Sequence, residues 1–295
     1  MKSKQTHDRQ IVYRGDPEQH EARKRFGTLI PVSKRAHREL IVITGTQQET
    51  LVIALNPSAT QCHVCLVIEP CTKATITLQF PKKVQRCAME CFVGRNASIT
   101  VHNALESAEH MHLTQCVLVE AKTTLYWYNS TNGQDVHHNY TCALNGRGAQ
   151  STLQWRFHAT GTQKQHIGAK YICTAPECEG NLVIKGVVEE KANAHVRGMA
   201  KIGVNACGSS AHITEHVLML DDTATVDALP AQEIATDAVQ ASHSAIISNI
   251  SEEDLFYLGT RGMRKKQARA MIVREFLDIS KPKDNTGAIK EPFTQ

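Results

Sequence analysis

Aromatic residues make up only 5% of this 295-residue chain, and no uninterrupted apolar run approaches the ~20 residues a bilayer-spanning helix needs. No membrane partner is therefore expected. The opening segment MKSKQTHDRQ has no apolar stretch behind it, so a secretory signal is not expected and the chain reads as cytoplasmic. The net charge of +4 is small, and no concentrated basic face with interleaved aromatics occurs, which argues against nucleic acid as a partner. The early cluster Arg23, Lys24, Arg25, Lys34, Arg35 and Arg38 reads instead as a solvated face. Motifs that announce catalysis are missing as well. There is no G-x-x-x-x-G-K-[ST] phosphate loop, no G-x-S-x-G elbow and no H-E-x-x-H pair. Without these signatures the chain is expected not to be an enzyme.

What is present is a globular composition, 41% hydrophobic and 21% charged, with ten cysteines and fifteen histidines. In a reducing compartment those thiols stay free, bind metal or do redox work. Residues 1–40 are polar and mixed, with helical stretches expected near Glu18–Arg25 and Ser33–Leu40, and form a capping segment. From Ile41 the texture changes to short β-branched runs such as IVITG, CLVIE, ATITLQF and ASITVHN, separated by small or polar residues. Similar segments open near Ala97, Ala121, Gly148, Glu179, Ser209 and Ala235, at spacings of 24, 27, 31, 30 and 26 residues. A recurrence of that length made only of strands predicts a stacked parallel β-helix over 41–250, ahead of a β-sandwich.

The end of the chain is different. Ser251 is placed to cap a helix whose first turn carries Glu252, Glu253 and Asp254, where the helix dipole favours negative charge. Gly259 and Gly262 bracket a break, and Arg264–Leu277 reads as a second helix with Ala268, Met271, Ile272 and Phe276 at helical spacing. Two helices this short need a neighbour to pack on. Residues 251–280 are therefore read as a helical docking subdomain, and 281–295 as a flexible tail.

The stretch ISEEDLFYLGTRGMRKKQARAMIVREFL, residues 250–277, closely resembles the C-terminal signature of the SufB/SufD family of iron–sulfur cluster assembly proteins. The preceding segment, residues 221–245, fits the same family through Pro230, Glu233, Ile234 and His243. The likeness is strong over 205–277 and rests on strand texture back to residue 40. The chain is short for the family. The resemblance implies a right-handed parallel β-helix with a small C-terminal helical subdomain. It also implies a scaffold of the SUF system that forms a homodimer, or a heterodimer with another SufB/SufD-like chain. An ABC-type, SufC-like ATPase would be held by the C-terminal helices, through Leu255, Phe256, Leu258, Arg261, Gly262, Met271 and Phe276. A transient iron–sulfur cluster or iron is the implied ligand. Flavin is associated with such complexes, but no dinucleotide glycine fingerprint occurs here and flavin is not expected.

His243 matches the family histidine at the subunit interface. Glu215, His216 and nearby Cys207 complete the candidate metal ligands, since imidazole, carboxylate and thiolate all suit iron. SufB-type members carry a cysteine where His216 stands and a glutamate where Ser244 stands, so the chain looks closer to the SufD type, or to a short ancestral-like form that uses other ligands. Two other readings are open. One is a β-helix enzyme acting on polysaccharide, although such enzymes favour aromatic platforms. The other is a structural thiol or zinc solenoid centred on the CxxC of Cys62 and Cys65, with Cys71, Cys87, Cys91, Cys173 and Cys178 as weaker candidates. His110 and His112 fall on one face of a strand by alternation; His137 and His138 read as surface residues.

Overall fold

The computed structural model describes residues 11–15, 21–25, 27–31, 36–47, 49–55 and 59–278. Sixteen strands belong to one sheet that winds into a β-solenoid of about eight turns. One wall is built from β2 (His37–Ile43), β4 (Gln61–Ile68), β6 (Arg86–Val93), the second half of β7 (Ser98–Val119), the second half of β8 (Thr124–Leu144), β10 (Lys164–Cys173) and β12 (Asn193–Ile202), ending in the short β14 (Thr225–Ala228) and β15 (Ala231–Ile234). The facing wall runs through β3 (Leu51–Ala54), β5 (Lys73–Gln79), the first halves of β7 and β8, β9 (Gln150–Ala159), β11 (Glu179–Val188), β13 (Ser210–Met219) and β16 (Gln240–Asn249). Every pairing along both walls is parallel. The exception is β1 (Ile11–Gly15), which lies antiparallel on β2.

Strict alternation makes this possible. In β9, Ser151, Leu153, Trp155, Phe157 and Ala159 are buried while the residues between them are half-buried or exposed. Each coil sets its inward residues directly above those of the coil before, giving one continuous core from Ile41 to Ala224. The unbroken apolar runs have a separate cause. Leu40, Val42, Cys65, Val67 and Phe92 point outward and are covered by the N-terminal segment, with Ala22 and Leu29 packed on them. Strands buried on both faces have no polar side to show.

The recurrence in the sequence is a corner. Register carries Ser98 to Thr124, Gln150, Glu179, Ser210 and Gln240, steps of 26 to 31 residues. Just before β5 and before the strands that open at Ser98, Thr124, Gln150, Glu179 and Ser210, the chain passes through a left-handed residue, in order Cys71, Asn96, Lys122, Gly148, Glu177 and Gly208, with φ between 53° and 73°. The N–H of each of these six donates to the carbonyl of the next coil, as in Lys122 to Arg147 and Gly208 to Ala238. A small buried residue follows each corner, in order Thr72, Ala97, Thr123, Ala149, Cys178 and Ser209.

Three expectations need correction. In the helix expected over Ser33–Leu40, His37–Leu40 are strand instead, because they begin β2 and pair with β4, so the solenoid starts before Ile41; residues 33–35 lie outside the described residues. Of the helical stretch expected near Glu18–Arg25, the described residues Glu21–Arg25 form a 3-10 turn. The opening placed at Ala235 is early, since β16 begins at Gln240. The expected tail over 281–295 lies outside the described residues, as do most of residues 1–36.

After β16 come α1 (Glu252–Thr260) and α2 (Lys265–Leu277). Ser251 caps α1, its Oγ accepting the Asp254 N–H at 3.0 Å. Gly262, at φ +86°, makes the turn between the helices. Among the described residues, no helix is long and apolar enough to cross a membrane.

Candidate functional site

Among the described residues the last coil ends the solenoid, and its strand β16 is held on one side only, by β13. Its residues are exposed or half-buried along the whole strand. Four large apolar side chains lie uncovered here: Leu229, Ile234, Ile246 and Ile247, between 47% and 61% exposed. An apolar surface next to an unpaired strand edge is costly for an isolated subunit.

His243 sits in β16 opposite Ile213, and Glu215 lies two residues beyond Ile213 on β13. Alternation turns Ile213 and Glu215 toward the core, so His243 shares their face and is the diagonal neighbour of Glu215. Glu215 is fully buried, and neither carboxyl oxygen has a donor in hydrogen-bonding geometry. Burial pushes its pKa up to about 7, a rise that the Gly198 N–H and the Arg197 charge offset only in part. An exposed imidazole beside a carboxyl that ionises near neutrality can take up a cation and release a proton in the same step.

The other two candidates are elsewhere. His216, adjacent to Glu215 in sequence, faces the opposite side of β13. It donates to or accepts from Ser248 at 3.1 Å, and its ring meets that of Phe276 at 4.7 Å, almost perpendicular. Burial lowers its pKa, and Lys185 adds to the effect. Cys207 occupies the exposed corner before β13 rather than a strand beside His243. Ser244, paired with Thr214, faces outward.

The helices join the solenoid through α2. Ala268 is buried, Arg269 bonds the Leu220 carbonyl and the Asp221 carboxylate, and Phe276 lies between His216 and the Lys185 ammonium. Phe276 thus has an internal partner. α1 buries no residue: Phe256 is 74% exposed and Tyr257 58%, Arg261 lies over the Tyr257 ring, and Leu255 and Leu258 are half-buried. Met271, expected on the packed stripe of α2, is 40% exposed.

The CxxC does not converge. Cys62 points into the core and Cys65 outward beneath the N-terminal segment, because positions three apart lie on opposite faces of a strand. Burial raises the thiols of Cys65, Cys87 and Cys91, and pushes Cys142 and Cys173 up to about 12, which keeps them protonated. His138 is likewise no surface residue. It is fully buried with its pKa pulled down by burial to about 3, bonded to Gln115 at 2.8 Å and Thr131 at 3.3 Å. With Asn103, Asn129, Trp127 and Trp155 it forms a polar cluster in the middle coils that sequence reading did not anticipate.

Comparison with known proteins agrees with this architecture. The family model described as "SUF system FeS cluster assembly, SufBD core domain" matches residues 47–276, well upstream of the signature at 205–277. An iron–sulfur cluster assembly SufBD family protein of Staphylococcus aureus (strain MRSA252) is 30% identical over 239 residues, 79% of this chain and 49% of its own. Counterparts in Staphylococcus saprophyticus and Staphylococcus haemolyticus are each 29% identical over the same shares. The chain spans about half the length of these curated relatives. With a family match over most of its length and a solenoid ending in two helices, the chain belongs to the SufBD family of iron–sulfur cluster assembly proteins.

Proposed function

We propose that this chain is a non-catalytic scaffold of an iron–sulfur cluster assembly complex, docked by its C-terminal helices to a SufC-like ABC ATPase. The observation that carries the reading is the helix pair. α2 is fastened to β11 and β13 while α1 offers Phe256, Tyr257 and Arg261 to solvent. A rigid mount with an aromatic and basic outer surface is what a docking element needs. Leu255, Leu258, Gly262 and Met271 flank that surface; Phe276 holds it in place from behind.

The open last coil serves as the second contact, with a SufB/SufD-like chain or a second copy. Its exposed Ile246 and Ile247 and the free edge of β16 favour a partner that continues the sheet. Pairing there encloses His243 and Glu215, the two ligands through which iron or a transient cluster would be held at the seam. Iron is cargo in this reading, not a resident cofactor.

The decisive experiment is co-purification with a SufC-like ATPase. Phe256→Ala/Tyr257→Ala should abolish association while leaving the far-ultraviolet circular dichroism of the solenoid unchanged. Retained association in a chain deleted for 251–277 would sink the docking claim. Anaerobic reconstitution with iron and sulfide should give cluster absorption that weakens in His243→Ala.

A further inference from the structure

On the outer side of the first wall, far from His243 on the facing wall, four histidines occupy the same position in four successive coils. His112, His137, His166 and His195 are register partners across β7, β8, β10 and β12, and Asp227 on β14 continues the column. Parallel strands repeat every 4.7–4.9 Å, so equivalent side chains in register are held at stacking distance. The ring centroids follow at 4.6, 4.2 and 4.8 Å, with planes within 12° of parallel. Burial and the neighbouring imidazoles lower the pKa of His112 and His166.

Asp135 turns this stack into something more specific. It is two residues before His137, on the same outer side of β8. One carboxyl oxygen, Oδ2, is held by His110 Nδ1 at 2.8 Å. The other, Oδ1, is shielded from solvent, has no hydrogen-bond partner, and lies 3.6 Å from His137 Nε2. That gap is too long for a hydrogen bond. It is close to the separation of two ligands bound at about 2.0–2.1 Å to one tetrahedral cation. His166 brings the third ligand atom within 4.8 Å of both.

We propose that Asp135, His137 and His166 form a binding site for a first-row divalent transition cation, with His110 orienting the carboxylate. Two imidazoles and one carboxylate are borderline ligands that suit Zn(II), Fe(II) or Co(II), and no thiol belongs to the set to favour Cu(I). The side chains are half-buried, so coordination positions stay open to water. Lys164, the register partner of Asp135 on β10, is a positive charge close enough to act on His166. The stacked rings of His137 and His166 must tilt toward each other by the ångström or so that separates 4.8 Å from a ligand–ligand edge.

Tag-free, metal-stripped full-length chain carrying His243→Ala, which removes the imidazole of the seam, is dialysed against Co(II) at pH 7.5. About one equivalent should bind, with visible d–d absorption. Asp135→Asn, His137→Ala and His166→Ala should each weaken binding at least about tenfold, in line with the ~10–100-fold lost even on mutating the outer-shell groups of metal sites; His212→Ala, on the facing wall, should not. Asp135→Asn is isosteric and keeps the stack, so it decides the matter if an alanine variant fails to fold. Absence of bound Co(II), or uptake unchanged in Asp135→Asn, would overturn the site and leave the column as a packing ladder. Neither result bears on ATPase association, so the docking reading stands or falls separately.

Discussion

Phe276 closes onto His216 edge against face, at 4.7 Å and 88°, and this contact fastens the terminal helix to the outside of the solenoid. Aromatic pairs in this arrangement contribute on the order of 1 kcal/mol beyond their burial. A double-mutant cycle over Phe276→Ala and His216→Ala should return a coupling of about that size, read as amide exchange in α2. Acid should weaken the same contact. The lowered pKa of His216 means the unfolded chain binds the extra proton first, so stability declines as pH falls from the ordinary imidazole range toward the lowered value. Exchange in α2 that is independent of pH between 7 and 5 would contradict this.

Glu90 should be the most sensitive polar position near the start of the solenoid. Its carboxylate accepts from the N–H groups of Gly27 at 2.6 Å, Leu29 at 2.6 Å and Ile30 at 3.1 Å, and pairs with buried His63 at 2.9 Å. Burial alone would raise its pKa, but these four bonds outweigh it and hold it below the usual carboxylate range. Its stabilising effect is complete above the unfolded pKa and disappears as pH falls through the lowered one. Glu90→Ala should cost roughly 3 kcal/mol by removing the charged acceptor shared by the Gly27, Leu29 and Ile30 N–H groups, measured by urea denaturation. Proteolysis should then begin within the segment around Gly27–Ile30.

Glu215 has the opposite sign. Its raised pKa means that the folded state holds a proton the unfolded state gives up, so stability declines between about pH 4.5 and 7. Glu215→Gln should therefore raise the melting temperature at pH 8 and change it little at pH 4.5. A variant equally stabilised at both pH values would show that burial does not perturb the carboxyl.

Glycines test the coil geometry. A Cβ at Gly186 would lie 2.0 Å from Phe157 Cζ on the neighbouring strand. Gly186→Ala should cost about 1–3 kcal/mol through overpacking and be largely restored by Phe157→Leu. At Gly148 nothing lies within 4 Å and φ is +67°, so Gly148→Ala should lose only about 1 kcal/mol of backbone strain. Thermal melts of the two single variants separate the effects.

Strand texture was legible because alternation in runs such as QSTLQWRFHA needs nothing beyond the strand itself. The helix pair was legible from the Ser251 cap and its acidic first turn. Register was not. His112, His137, His166 and His195 are spaced by 25, 29 and 29 residues, matching the coil length, yet coil length becomes fixed only when corners such as Asn96 and Lys122 are seen to turn. The same holds for the split between Glu215 and His216, adjacent in sequence and on opposite faces. HREL, the first half of β2, was misjudged because its polar residues hide the start of a strand that pairs with β4.

Strand β16 passes into Ser251 within two residues, so whatever moves the helices also pulls on the last rung. Its register with β13 spans ten residue pairs, from Ser210–Gln240 to Met219–Asn249. Tension along the strand loads those pairs together in shear, whereas tension away from the coil peels them one at a time from Asn249. The terminal rung is therefore mechanically anisotropic, stiff in one direction and tearable in the other. A partner strand laid along its free edge would remove that weakness.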